Sequence, residues 1–271
     1  MKNSKFKNKY GSWALIAGGS QGIGEAFAVE LAKKGLNLVL IARRAELLKE
    51  LASRINTSYK VEVMCIALDL SRDDIISKIK AEIGNLEIGV LVYNAAIIPI
   101  GDYFNSDLEE QLKVININCR GPTYLIDYFG RKMKERNSGA IILISSMAGL
   151  QGTPINVHYA ATKAYNIVLA EGLWFELKEF GVDVIASITG ATATPNYIAT
   201  NPDKPGFFVP KPLNPSQVAK ESLANLGKKP YVVPGFVNKM ASFFIKHFMS
   251  RKQAIKLIGK NTIKMYGKYN K

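Results

Sequence analysis

Short, continuous apolar runs alternate with stretches of helical period along the first two thirds of the chain. Residues 13–17, 38–42, 61–68, 90–93, 140–144 and 182–188 read as strands. Between them, residues 25–34, 45–55, 73–83, 108–136 and 159–180 carry apolar side chains at helical spacing, the fourth segment interrupted near Gly121-Pro122. The strands are rich in Val, Ile and Leu without polar alternation, as expected of a parallel sheet covered by helices on both faces. The pattern predicts an α/β, doubly wound, single-domain fold. After Gly190 it breaks. Residues 195–215 hold six prolines and read as a loop over the site. A short helix is expected over 216–226, and Phe236, Met240, Phe243, Phe244 and Phe248 mark an amphipathic helix over 236–249.

In such sheets ligands bind beyond the carboxyl ends of the strands. Five chemically distinctive groups fall at those ends: a glycine loop, Arg43-Arg44, Asp69, Asn94 and Ser145-Ser146. The loop runs Gly18-Gly19-Ser20-Gln21-Gly22-Ile23-Gly24 between the first strand and the first helix of the alternating series. Missing side chains there admit a pyrophosphate to backbone N–H groups at a helix N-terminus. Arg43 and Arg44 stand where an acidic residue would hold a ribose 2′-hydroxyl. Two guanidiniums suit a 2′-phosphate instead, so NADP(H) is expected over NAD(H). Tyr159 and Lys163 are four residues apart at a helix start and share a face. An ammonium beneath a phenol favours the phenolate, which would suit Tyr159 to acid–base work on a carbonyl oxygen.

Charge adds a second theme. The net charge is +14, but residues 1–10 hold four lysines and no acid, and residues 228–271 hold eleven Lys/Arg and no acid. The body between them is nearly neutral, which argues against nucleic acid as a partner. The basic C-terminal segment could dock on its own domain or a second subunit, contact an anionic membrane as a peripheral protein, or gate substrate entry. The two cysteines, Cys65 and Cys119, lie in apolar contexts and fit a reducing cytoplasm. The start lacks the apolar core of a signal peptide, and no run is long enough to span a bilayer. His158 and His247 have no spacing that suggests a metal site.

These motifs, in this order, resemble the short-chain dehydrogenase/reductase family over residues 10–195: Gly18-x-x-x-Gly22-x-Gly24, Asp69-Leu70, Asn94-Ala95-Ala96, Asn118 with Gly121, and Ser146 thirteen residues before Tyr159-x-x-x-Lys163. The resemblance implies a Rossmann-type core over residues 10–194, with a substrate loop and basic helical lobe over 195–271. It implies that Tyr159 is the acid/base, that Lys163 lowers its pKa and binds the nicotinamide ribose, that Ser146 rather than Ser145 orients the carbonyl, and that Asn118 completes a proton relay. It places Gly18, Ser20, Gln21, Gly22, Ile23, Gly24, Arg43, Arg44, Asp69, Leu70, Asn94, Ala95, Tyr159, Lys163, Thr192 and Thr194 at the cofactor. Ala17, Tyr93 and Ala96 depart from the family's usual Thr, Asn and Gly, and Thr189-Gly190 from its Pro-Gly.

Ile-Ala-Arg-Arg at 41–44, Ala-Thr-Ala-Thr-Pro at 191–195 and the Val-Val-Pro-Gly ending with its basic tail are similar to a bacterial subgroup that includes hydroxysteroid dehydrogenases, with 7β enzymes similar in layout, and 3-oxoacyl reductase-like members. The expected function is NADPH-dependent interconversion of a ketone and a secondary alcohol on an apolar or amphipathic substrate such as a hydroxysteroid or bile acid. The alternatives are a 3-oxoacyl reductase and a non-catalytic NADPH-binding sensor. Ile97, Ile98, Pro99, Ile100, Tyr103 and Phe207-Phe208 are candidates for an apolar pocket. A homo-oligomer, dimer or tetramer, pairing through the helices that bear Asn118 and Tyr159, is implied by the resemblance.

Overall fold

The computed structural model describes residues 2–200, 202 and 211–267. Phe207 and Phe208 lie outside them. Seven parallel strands form one sheet in the order β3-β2-β1-β4-β5-β6-β7: β1 (Trp13–Ala17), β2 (Asn37–Ala42), β3 (Val63–Ala67), β4 (Ile88–Tyr93), β5 (Gly139–Ser146), β6 (Val182–Thr189) and β7 (Tyr231–Val232). The sequence pattern yields the first six. β7 has two residues, too few to show a period, and it extends the sheet with chain from beyond residue 194.

Strand residues alternate between two cores. Leu15, Val39, Leu91, Ile141 and Val184 face one helical layer. That layer comprises α4 (Ile75–Ile83), a long helical segment over residues 108–135 and α8 (Val157–Glu176). Ile16, Leu38, Leu40, Val92 and Ile185 face the other layer, built from α2 (Gly22–Ala32), α3 (Ala45–Tyr59) and α10 (Pro215–Asn225).

The long segment is continuous through Gly121-Pro122, where a break was expected. Turns of α-helix at α5 (Leu108–Ile115), α6 (Gly121–Leu125) and α7 (Arg131–Glu135) alternate with π turns at Asn116–Arg120 and Ile126–Gly130. A π turn leads straight into Gly121, and wider turns of this kind absorb what a proline would disturb in a regular helix. Gly121 has a further cause. An added Cβ would lie 2.2 Å from the Tyr93 hydroxyl, which donates to the Ile117 carbonyl.

The basic N-terminus is a helix, α1 (Lys2–Tyr10), at the amino ends of the strands. Tyr10 is buried, and its hydroxyl and the Lys9 ammonium both meet Asp183 Oδ2 at 2.6 Å. The basic C-terminus lies at the carboxyl ends, as α11 (Phe236–Phe248) and α12 (Arg251–Tyr266). Asn238 of α11 packs on Gly190 after β6, and Gly259 of α12 sits over Pro154 after β5. The two basic ends are therefore on opposite ends of the sheet. No helix among the described residues is long and apolar enough to cross a membrane.

Candidate active site

The strand order reverses between β1 and β4, and a cleft of about 350 Å³ opens there at the carboxyl ends. Gly18 and Gly22 have φ of +79° and +63°, the left-handed region open to glycine. A Cβ at Gly18 would lie 2.7 Å from the Ala95 nitrogen, and one at Gly22 2.9 Å from Thr194 Cγ2. At Gly24 it would lie 2.0 Å from the Gly18 carbonyl oxygen. Gly24 thus serves close packing of α2 beneath the loop. Asn94 clamps the same loop, its Nδ2 donating to the Gly18 carbonyl at 2.9 Å.

The residues present fit a dinucleotide. Gln21 precedes α2 without a side-chain cap, so the first-turn N–H groups face the cleft with no side chain on them. Ser20, Ile23, Leu70 and Ala95 line the same cleft. The Gln21 amide instead donates to Asn196 Oδ1 at 2.9 Å, tying the loop to α9 (Pro195–Ala199). That helix lies within the proline-rich stretch expected to be a loop. Thr194 lines the cleft and caps α9 by accepting from the Tyr197 N–H.

Arg43 and Arg44 line the cleft and are exposed, and among the described residues neither is in an ion pair. Burial opposes ionisation of Asp69, but hydrogen bonds from the Ser71 N–H and hydroxyl, together with Arg43, hold its carboxyl below the usual range. Thr192 has partners of its own. Its buried hydroxyl donates to the Gly190 carbonyl, and the residue bridges to Leu213 rather than lining the cleft.

Tyr159 and Lys163 lie side by side on α8 at the floor of the cleft. The Lys163 ammonium is 5.6 Å from the centre of the Tyr159 ring and donates to the Ile144 carbonyl at 2.7 Å. Loss of water around the phenol raises the Tyr159 pKa to about 12, against the lowering influence of Ser146 and with help from Tyr266. Burial lowers Lys163 to about 8. Desolvation favours the neutral form of each partner.

The two serines differ in their partners, and of the pair Ser145 lines the cleft. Ser145 is buried and its hydroxyl donates to the Lys163 carbonyl at 2.7 Å. Ser146 accepts the Ala148 N–H at 3.2 Å, and its hydroxyl hydrogen-bonds the Tyr159 phenol, the contact that draws the Tyr159 pKa down. Asn118 is fully buried in the first π turn. Its side chain pairs with both the N–H and the carbonyl of Ile97, at 3.0 and 3.1 Å, and donates to Thr162 Oγ1 at 3.0 Å. It joins the loop after β4 to α8.

Three residues escaped the sequence reading. Asn166, three positions after Lys163, donates to the Asn118 carbonyl at 3.1 Å; α8 periodicity would have found it. Thr189 and Asn196 also line the cleft, through chain geometry that no local pattern reveals. Ile97 and Ile98 line both this cleft and an adjoining cavity of about 620 Å³, with Pro99 and Ile100 in the second alone. Tyr103 lies in neither and instead stacks on His158, ring centres 5.2 Å apart.

With this geometry in place, comparison with known proteins gives a consistent result. The family model described as short chain dehydrogenase matches residues 12–205. A 7beta-hydroxysteroid dehydrogenase of Clostridium sardiniense is 33% identical over 255 residues, covering 94% of this chain and 97% of that protein. A very-long-chain 3-oxoacyl-CoA reductase of Bos taurus is 38% identical over 194 residues, 70% of this chain and 60% of that protein. A solved structure described as giving insights into 7beta-hydroxysteroid dehydrogenase stereoselectivity superposes with a TM-score of 0.86 at 29% identity, covering 93% of this chain and 98% of its own. The chain belongs to the short-chain dehydrogenase family, oxidoreductases of the CH–OH and C=O pair that use a nicotinamide cofactor.

Proposed function

We propose that this protein is an NADP(H)-dependent dehydrogenase/reductase that interconverts a ketone and a secondary alcohol on an amphipathic, hydroxysteroid-like substrate. The observation that carries the proposal is the pairing of Tyr159 with Lys163 at the floor of the cleft, the buried ammonium 5.6 Å from the centre of the phenol ring. The nicotinamide, when bound, supplies or accepts the hydride at the carbonyl carbon.

The remaining chemistry belongs to this chain. With pKa values near 12 and 8, Tyr159 is neutral and Lys163 cationic at pH 7. In reduction Tyr159 gives its proton to the carbonyl oxygen, and in oxidation it takes that proton back. Lys163 stabilises the phenolate left behind, and its hydrogen bond to Ile144 fixes where that charge sits. The Ser146 hydroxyl, already accepting from Ala148, donates to the same carbonyl oxygen and orients it. Asn118 is a positioning residue that holds α8 against the loop after β4.

Arg43 and Arg44 support the choice of NADP(H), since a 2′-phosphate offers oxygens to both guanidiniums. The Clostridium sardiniense relative and the apolar wall at Ile97 and Ile98 support a steroid-sized substrate. A 3-oxoacyl thioester is the second reading, supported by the 38% identity to the Bos taurus reductase over 194 residues. Exposed Leu108 and Leu112 on α5, with Val168 and Phe175 on α8, offer a second copy an apolar face. Turnover of NADPH with keto-steroids, keto bile acids and 3-oxoacyl thioesters, with Tyr159→Phe as control, tests the assignment and separates the two substrate classes.

A further inference from the structure

One surface has no role in this chemistry. On α11, Phe236, Val237, Met240, Phe243, Phe244 and Phe248 point to solvent, Phe236 at 77% and Phe248 at 67% exposure, whereas only Asn238 is buried. The spacing puts these apolar side chains on one face. Phe244 stacks on Phe248 at 5.3 Å and Phe243 on His247 at 4.2 Å, giving a projecting aromatic ridge. Lys239 and Lys246, one heptad apart, run along its flank. On α12, exposed Ile255, Leu257 and Ile263 alternate with Arg251, Lys252, Lys256, Lys260 and Lys264.

Charge decides what covers this surface. Residues 228–271 carry eleven Lys/Arg and no acid. A second copy seated face to face on α11 and α12 would set these cations against their own counterparts with no carboxylate from either lobe between them. Apolar side chains with a flanking band of cations, projecting rather than cupped, match an anionic bilayer instead: aromatics enter the acyl boundary and ammonium groups meet lipid phosphates.

We infer that α11 and α12 dock this protein on an anionic lipid surface, with the cleft mouth held beside it. α12 links the two. Its Gly259 packs on Pro154, and its Tyr266 hydroxyl lies 3.3 Å from Thr200 Oγ1, close enough to Tyr159 to act on its charge. An amphipathic substrate would pass between bilayer and cleft along α12. The docking rests on the surface alone and does not depend on the substrate assignment.

The test is co-sedimentation of the full chain with phosphatidylcholine vesicles, alone or with one third phosphatidylglycerol, with molecular mass measured by light scattering. The wild type should bind the anionic vesicles, fail to bind the neutral ones, and be released by salt. Phe243→Ser/Phe244→Ser and Lys239→Glu/Lys246→Glu should each weaken binding by at least about tenfold at unchanged mass and circular dichroism. Absence of wild-type binding to anionic vesicles would overturn the inference. So would variants that bind as the wild type does. Variants of reduced oligomeric mass would identify a second copy as the occupant and overturn it as well.

Discussion

The Tyr93 hydroxyl donates to the Ile117 carbonyl, one residue before Asn118, and it reaches that carbonyl because Gly121 has no side chain. Strand β4 is thereby bonded to the π turn that carries Asn118, and through Asn118 to α8 and the Tyr159 floor. The family's usual residue at position 93 is Asn, so this chain reaches the helix with a longer side chain and a glycine to receive it.

Gly121→Ala should disturb that link. The new methyl collides with a fully packed phenol, and overpacking of this kind costs about 1–3 kcal/mol. Urea denaturation should show the loss, and kcat should fall with it as Asn118 shifts. Combining Gly121→Ala with Tyr93→Phe should restore part of both, because the hydroxyl is the nearest obstacle.

The glycine loop makes a separate prediction. Gly22→Val adds a branched side chain where φ is +63° and Thr194 already fills the space. NADPH binding, followed by fluorescence titration, should be lost while far-ultraviolet circular dichroism keeps the wild-type shape.

Cofactor choice rests on the arginines. Arg43→Ala/Arg44→Ala removes two charge-assisted contacts worth about 1.5–3 kcal/mol each. The Kd for NADPH should rise by at least about tenfold while that for NADH changes little. Equal weakening of the two would place the guanidiniums on a part that both cofactors share.

Much of this was legible in the sequence. The six longer strands, their helices and the order of glycine loop, Asn94, Ser146, Tyr159 and Lys163 follow from period and spacing. α1 was not, because Phe6 and Tyr10 are its only apolar residues among four lysines; those two rings meet edge-on at 4.7 Å once the helix forms. Thr192 shows the converse. Its neighbourhood matched the family, yet its hydroxyl turns to Gly190, a choice made by the Leu213 bridge from distant chain. Tyr266 is 107 positions from Tyr159, a separation no local pattern spans.

The pH dependence of stability has a defined sign. Lys163 holds a pKa near 8 in the fold against about 10.5 when unfolded, so between these values the unfolded chain binds more protons and stability rises with pH. The slope approaches about 1.4 kcal/mol per pH unit for this one group. Tyr159 acts in the opposite sense above pH 10, where the fold keeps a proton that the unfolded chain has lost, up to about pH 12. Lys163→Met should remove the rise between pH 8 and 10 in denaturation midpoints compared with wild type.

The central claim is that Tyr159 moves the proton in carbonyl reduction. NADPH consumption with a keto-steroid substrate, wild type against Tyr159→Phe, tests it most directly. The account predicts turnover by the wild type, a fall of at least about a hundredfold in kcat for the variant, and an NADPH Kd changed little beside it. Turnover by Tyr159→Phe at the wild-type rate would contradict it.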